Sequence, residues 1–150
     1  MRSFIKIIFL FLLLSLQSCL FGVGLVELQL ADNISLFGNG SYEEVAIYYS
    51  DEENNCSAIL VPSTVFAVGY DDSFIIAKSQ PIDWEQSTKK TYYHIIEIKK
   101  LSCENKDSVP YYTLEQFNFL KKKLNISKDL NFTINFEDKL TNVKKTVNSY

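Results

Sequence analysis

Few residues in this chain could do chemistry beyond packing: Cys19, Cys56 and Cys103, the single histidine His94, and two acid-rich turns, Asp51-Glu-Glu53 and Asp71-Asp72. Cys19 carries the most specific signal. It follows Leu16, Gln17 and Ser18 at the end of an apolar run. An apolar residue, a variable position, a small residue and then cysteine is the lipobox pattern at which bacterial lipoproteins are lipidated. Gln17 departs from the small or β-branched residue usual there, so an ordinary secretory leader with a chance cysteine stays open. Diacylglycerol on Cys19 plus an N-acyl chain would supply the two anchors that stable membrane attachment takes.

Cys56 and Cys103 then remain as an even pair, both in polar, turn-rich stretches. Export to an oxidising compartment permits a bridge between them if their Cα atoms come within about 7 Å, and two free thiols are the alternative. His94 stands in a tyrosine- and isoleucine-rich strand, where a packed or edge role is the ordinary one. A Cys-His nucleophile pair needs a cysteine beside the ring and a third group to orient it, and nothing in the spacing supplies either. Asp71 and Asp72 are adjacent and point to opposite faces of an extended chain, while Asp51, Glu52 and Glu53 lack the alternation of a calcium loop. No dinucleotide fingerprint, phosphate loop or nucleophile elbow occurs. No catalytic residue, metal site or cofactor is therefore expected.

The segment before Cys19 reads as a leader. Arg2 and Lys6 make a positive start and Ile7 to Leu14 is uninterrupted apolar sequence, too short for the roughly 20 residues of a membrane span. Residues 1–18 are thus expected to be a signal peptide, 19–24 a tether, 25–138 one β-rich domain and 139–150 a tail. The whole chain has 15 basic and 18 acidic residues, a net charge of −3; losing Arg2 and Lys6 with the leader takes it to about −5. A nucleic-acid partner is not expected of such a chain. Its one basic cluster, Lys121-Lys-Lys123, reads as a solvated helix end. Asn-x-Ser/Thr segments such as those at Asn33, Asn39, Asn125 and Asn131 are by-products of composition if the chain is bacterial.

The elements that must hold these residues are mostly strands. The centre is Thr64 to Lys78, where Val65, Phe66, Val68 and Tyr70 precede Asp71-Asp72 and Phe74, Ile75 and Ile76 follow, a hairpin with a polar tip. Leu25 to Leu30, Tyr42 to Tyr49, Ala58 to Val61 and Thr91 to Lys99 read as further strands, and Asn131 to Phe136 as a short last one. Asn39-Gly40 suggests a tight turn. After Pro110 the period changes: Thr113 and Gln116 are spaced as a capping box, and Leu114, Phe117, Leu120 and Leu124 form a helical stripe. The predicted fold is α+β, an antiparallel meander of about five to seven strands with one C-terminal helix packed on the sheet. The stripe is expected to lie on Phe74, Ile76, Ile96 and Ile98.

Gly69-Tyr-Asp-Asp-Ser-Phe-Ile-Ile-Ala-Lys78, then Tyr92-Tyr-His-Ile-Ile-Glu-Ile-Lys99 and Tyr112-Thr-Leu-Glu-Gln-Phe117, resemble the motifs of a family of small bacterial lipoproteins of unknown function. With Gly40-Ser-Tyr42 the resemblance covers most of residues 40 to 125. His94 stands where that pattern is usually apolar, and the resemblance brings no activity with it. The resulting expectation is an envelope lipoprotein, facing away from the cytoplasm. It would act as a non-catalytic binding or structural module that meets an envelope protein through an aromatic surface drawn from Tyr48, Tyr49, Tyr92, Tyr93, Tyr111 and Tyr112. The alternative is a small envelope enzyme in which acids such as Asp71, Asp72 and Glu97 converge in a pocket.

Overall fold

The computed structural model describes residues 26–62, 64–80, 90–107 and 109–140. Strands β1 (Val26–Ala31), β2 (Ile34–Gly38), β3 (Ala46–Asp51) and β4 (Cys56–Val61) pair antiparallel in sequence order. Asp32-Asn33 turns β1 into β2. The expected strand from Tyr42 begins only at Ala46, because Tyr42–Glu44 form a 3-10 turn. Gly40, at φ 100°, leads into that turn within a longer β2–β3 connection instead of forming a tight turn.

A second sheet has the order β7-β6-β5-β8, built from β5 (Val65–Tyr70), β6 (Phe74–Ser79), β7 (Tyr92–Glu97) and β8 (Ile134–Asn135). The single meander expected from sequence is therefore replaced by two four-stranded sheets sharing one core. Leu36, Ile47 and Leu60 of the first meet Val68, Ile75 and Ile96 of the second, all buried. The physical reason lies in β5, where Val65 to Gly69 are buried without alternation. A strand covered on both faces needs apolar residues throughout, so one face takes the other sheet and the other takes later chain. Between the sheets Thr64 adopts φ 77°, costly for a β-branched residue. It is held there as Val65 N–H donates to the Val45 carbonyl (2.9 Å) and Gln80 N–H to the Thr64 carbonyl (3.1 Å).

The helix α1 (Leu114–Lys123) covers the outer face of the second sheet. Its capping box is closed: the Thr113 side chain accepts from Gln116 N–H (3.3 Å) and the Gln116 side chain from Thr113 N–H (3.0 Å). Phe117, Ile126 and Leu130 pack on Ile76 and Ile95. Two expectations need correction. Ile96 and Ile98 pack in the core between the sheets, because successive strand residues face opposite ways and Ile95 takes the helix side. Leu114 is 53% exposed, since the helix starts at edge strand β7, where Tyr112 pairs with Tyr93, and its first turn overhangs that edge.

Nor is α1 a C-terminal cap. It is a crossover from the β7 edge to the β5 edge, where β8 pairs with Ala67 and Val68. The Asn131 carbonyl passes so close to Gly69 that any Cβ there would collide with it. Past β8, Leu140 is buried against Phe66, so packing extends into what the sequence suggested was tail.

Candidate binding cleft

The turns β1–β2, β3–β4 and β5–β6 and the exit of β7 gather at one end of the sandwich. Between them a cleft of about 570 Å³ opens, with Leu30, Ile34, Ile98 and Leu101 as floor and Tyr49 and Tyr70 as walls. Asp32, Asn33, Asp71 and Asp72 form its rim. A second depression of about 500 Å³ shares Asp32 and Asn33 and adds Asp51, Glu52 and Glu53. No cationic side chain occurs among the described residues lining either. Apolar floor, aromatic wall and single-sign rim together favour a positively charged ligand with an apolar body.

The rim is shaped by local chemistry. Asp71 Oδ1 accepts the N–H groups of Ser73 and Phe74, both at 2.8 Å, which fixes the β5–β6 turn and leaves Tyr70 41% exposed beside it. Asp51 does similar work in the β3–β4 turn: Oδ1 accepts Asn54 N–H (3.1 Å) and Oδ2 the Asn54 side-chain amide (2.9 Å). The Asn54 side chain first, and its backbone N–H next, hold the Asp51 carboxyl below the usual carboxylate range. Of the acids offered as examples for an enzyme, Asp71, Asp72 and Glu97, the first two share the cleft. Glu97 borders a different depression and pairs with Lys100 at 2.8 Å.

Cys56, at the start of β4, and Cys103, in the loop after β7, are paired with Cα atoms 6.0 Å apart. The contact joins the first sheet to the exit of the second at the cleft end. Beyond it the same loop crosses the sandwich edge, as Val109 N–H donates to the Leu60 carbonyl (2.8 Å) and Tyr112 pairs with Tyr93. Cys19 lies outside the described residues.

His94 is far from the cleft chemistry. It is 3% exposed, with Nε2 2.8 Å from the Ser79 hydroxyl and Nδ1 without a partner. Burial pushes its pKa down to about 4; the Pro110 and Val109 carbonyls draw it partly back, although neither meets hydrogen-bond geometry at Nδ1. The pair resembles a nucleophile and base, but Ser79 is itself only 2% exposed and lines none of the clefts described here.

The tyrosines divide. Tyr93 packs on Phe117, Tyr48 meets Phe37 edge-on, and Tyr92 and Tyr111 meet edge-to-face with ring centres 4.7 Å apart. Only Tyr49 of the expected aromatic set reaches the cleft, where Tyr70 joins it. Tyr70 is the last residue of β5, and the signal for its place at the cleft is its position beside the Asp71-Asp72 turn. Lys121 is folded back, its Nζ donating to the Leu130 carbonyl at 3.0 Å.

Among the described residues, fold and site together define a two-sheet β architecture with one crossover helix and an acidic cleft at one end. The chain belongs to the family described as "Protein of unknown function (DUF3997)", whose model matches residues 32–142. No curated protein matches it. No solved structure matches it either.

Proposed function

We propose that this chain is a lipoprotein of the bacterial cell envelope, anchored through Cys19 and facing away from the cytoplasm, and that it works as a non-catalytic binding module. The observation that supports this best is polarity. The chain enters β1 at Val26, opposite Gly38, whereas the cleft lies at the far end of that strand, at the β1–β2 turn. Six strand residues separate the two by roughly 20 Å. A tether at residues 19–24 would then hold one end near the membrane and present the cleft away from it. Among the described residues no helix is long and apolar enough to cross a membrane.

The ligand is a cation with an apolar body, of the kind offered by a lysine- or arginine-bearing segment of an envelope protein. The enzyme reading draws less support, since Glu97 stands apart and Asp71 Oδ1 is taken up by two turn amides. An oxidising envelope also suits a Cys56–Cys103 bridge. By restricting a 47-residue separation in the unfolded chain, it would contribute about 4 kcal/mol.

Two measurements test the reading. Cells fed a clickable palmitate analogue should label the wild-type chain and leave Cys19→Ser unlabelled; cleavage at another residue by intact mass would refute the anchor. Binding of a short alternating lysine–leucine peptide should weaken about tenfold in the Asp32→Asn, Asp72→Asn double variant and fall with added salt. Equal binding by both forms would refute the ligand class.

A further inference from the structure

A set of metal-ligating groups sits beside the cleft and the binding reading does not use it. Asp51, Cys56 and Cys103 each present one ligand atom, and the three atoms lie within 4.8 Å of one another. Their backbone positions are fixed independently: Asp51 and Cys56 are register partners across the β3–β4 hairpin, and Cys103 comes from the loop after β7.

We propose that reduction of the Cys56–Cys103 pair opens a zinc site in which both thiolates and the Asp51 carboxylate are ligands, with water in the fourth position. Two thiolates select a soft or borderline ion, and a carboxylate with them suits Zn²⁺ better than Ca²⁺ or Mg²⁺, which take oxygen alone. The spacing fits. Zinc bonds of about 2.3 Å to sulphur and about 2.0 Å to oxygen put tetrahedral sulphur and oxygen about 3.5 Å apart. Cys103 Sγ and Asp51 Oδ2 are 3.8 Å apart. Two sulphurs on one tetrahedral ion are about 3.8 Å apart, so the pair must separate on reduction, within reach of side-chain rotation at a Cα spacing of 6.0 Å. Asn54 supplies the outer support. Its backbone N–H and side-chain amide hold the two Asp51 oxygens, fixing the carboxylate toward Cys103 before any ion arrives.

The chemistry balances with a dithiol as reductant. The dithiol gives two electrons and two protons to the protein disulfide, leaving two protein thiols and its own cyclic disulfide. Zn²⁺ then displaces one proton from each thiol, while Asp51 is already ionised. The site is thus closed to zinc when oxidised and open when reduced. It needs neither the lipid anchor nor a cleft ligand, so its failure leaves the proposed function standing.

The test uses the full chain carrying Cys19→Ser, so that two cysteines remain. Protein reduced with a dithiol and desalted under nitrogen is titrated with Zn²⁺, and with Co²⁺ as a spectroscopic probe. We expect one ion per chain in the reduced form and none in the oxidised form. Co²⁺ should give thiolate charge-transfer bands with the intense visible bands of a tetrahedral ion. Asp51→Asn should weaken zinc at least tenfold while leaving the oxidised protein folded by circular dichroism. Three results would each overturn the proposal: no zinc uptake by the reduced chain, equal uptake by the oxidised chain, or unchanged affinity in Asp51→Asn. The last also covers a reduced chain that unfolds and binds through its thiols alone.

Discussion

A histidine buried to 3% with an orphaned ring nitrogen is tolerated only while it is uncharged. His94 has its pKa pushed to about 4, mainly by burial, against 6.5 for the free side chain. Because the folded value is the lower one, the unfolded chain takes the proton first as pH falls. The contribution of neutral His94 is intact above pH 6.5, declines through the window down to about 4, and is fully lost below it. The loss amounts to about 3 kcal/mol. Urea unfolding at pH 7 and pH 4.5 should show this slope in the wild type and a shallower one in His94→Gln; parallel slopes would mean that the ring is solvated. That His94 is packed was readable from its neighbours Tyr93 and Ile95. Its partner was not, because Ser79 is 15 residues away and meets it only through the β6–β7 pairing.

At the scale of elements, α1 was the most legible part of the chain, since its signals are local: Thr113 and Gln116 for the start, then three- and four-residue apolar spacing. Which stripe residues reach the core depended on where the helix crosses the sheet. Phe117, buried between Tyr93 and Phe132, should cost about 3 to 5 kcal/mol as Phe117→Ala, whereas exposed Leu114→Ala should stay within about 0.5 kcal/mol. Thermal melts of both variants decide it, and equal losses would mean that Leu114 packs as Phe117 does. Thr113→Ala should cost about 1 kcal/mol through the lost cap. Strand β2 escaped notice because it is five residues long and bounded by turn residues, so its apolar run read as a gap between strands. Gly69 is the place where the chain after α1 closes on the sheet. Gly69→Ala should therefore destabilise by several kcal/mol, and a neutral result would separate residue 131 from β5.

For the whole molecule, the strand-rich composition and late helix were enough for α+β, and the unbroken apolar run of β5 already implied cover on both faces. The second sheet was not legible because the chain switches sheets at Thr64 within a few residues, and Pro62-Ser63 mark a strand end without marking a change of sheet. The cleft could not be read from sequence at all: Asn33, Tyr49, Asp72 and Leu101 come together only through the pairing of both sheets at one end. The central claim is that this end, and not the exposed aromatic Phe119 on α1, is the binding surface. Its most direct test is a nitrogen–proton NMR titration of the Cys19→Ser chain with the alternating lysine–leucine peptide. The account predicts shifts concentrated on Asp32, Asn33, Tyr70, Asp72 and Leu101, lost in the Asp32→Asn, Asp72→Asn variant. Shifts centred on Phe119 and its helix neighbours, or none at concentrations where the peptide is in large excess, would contradict it.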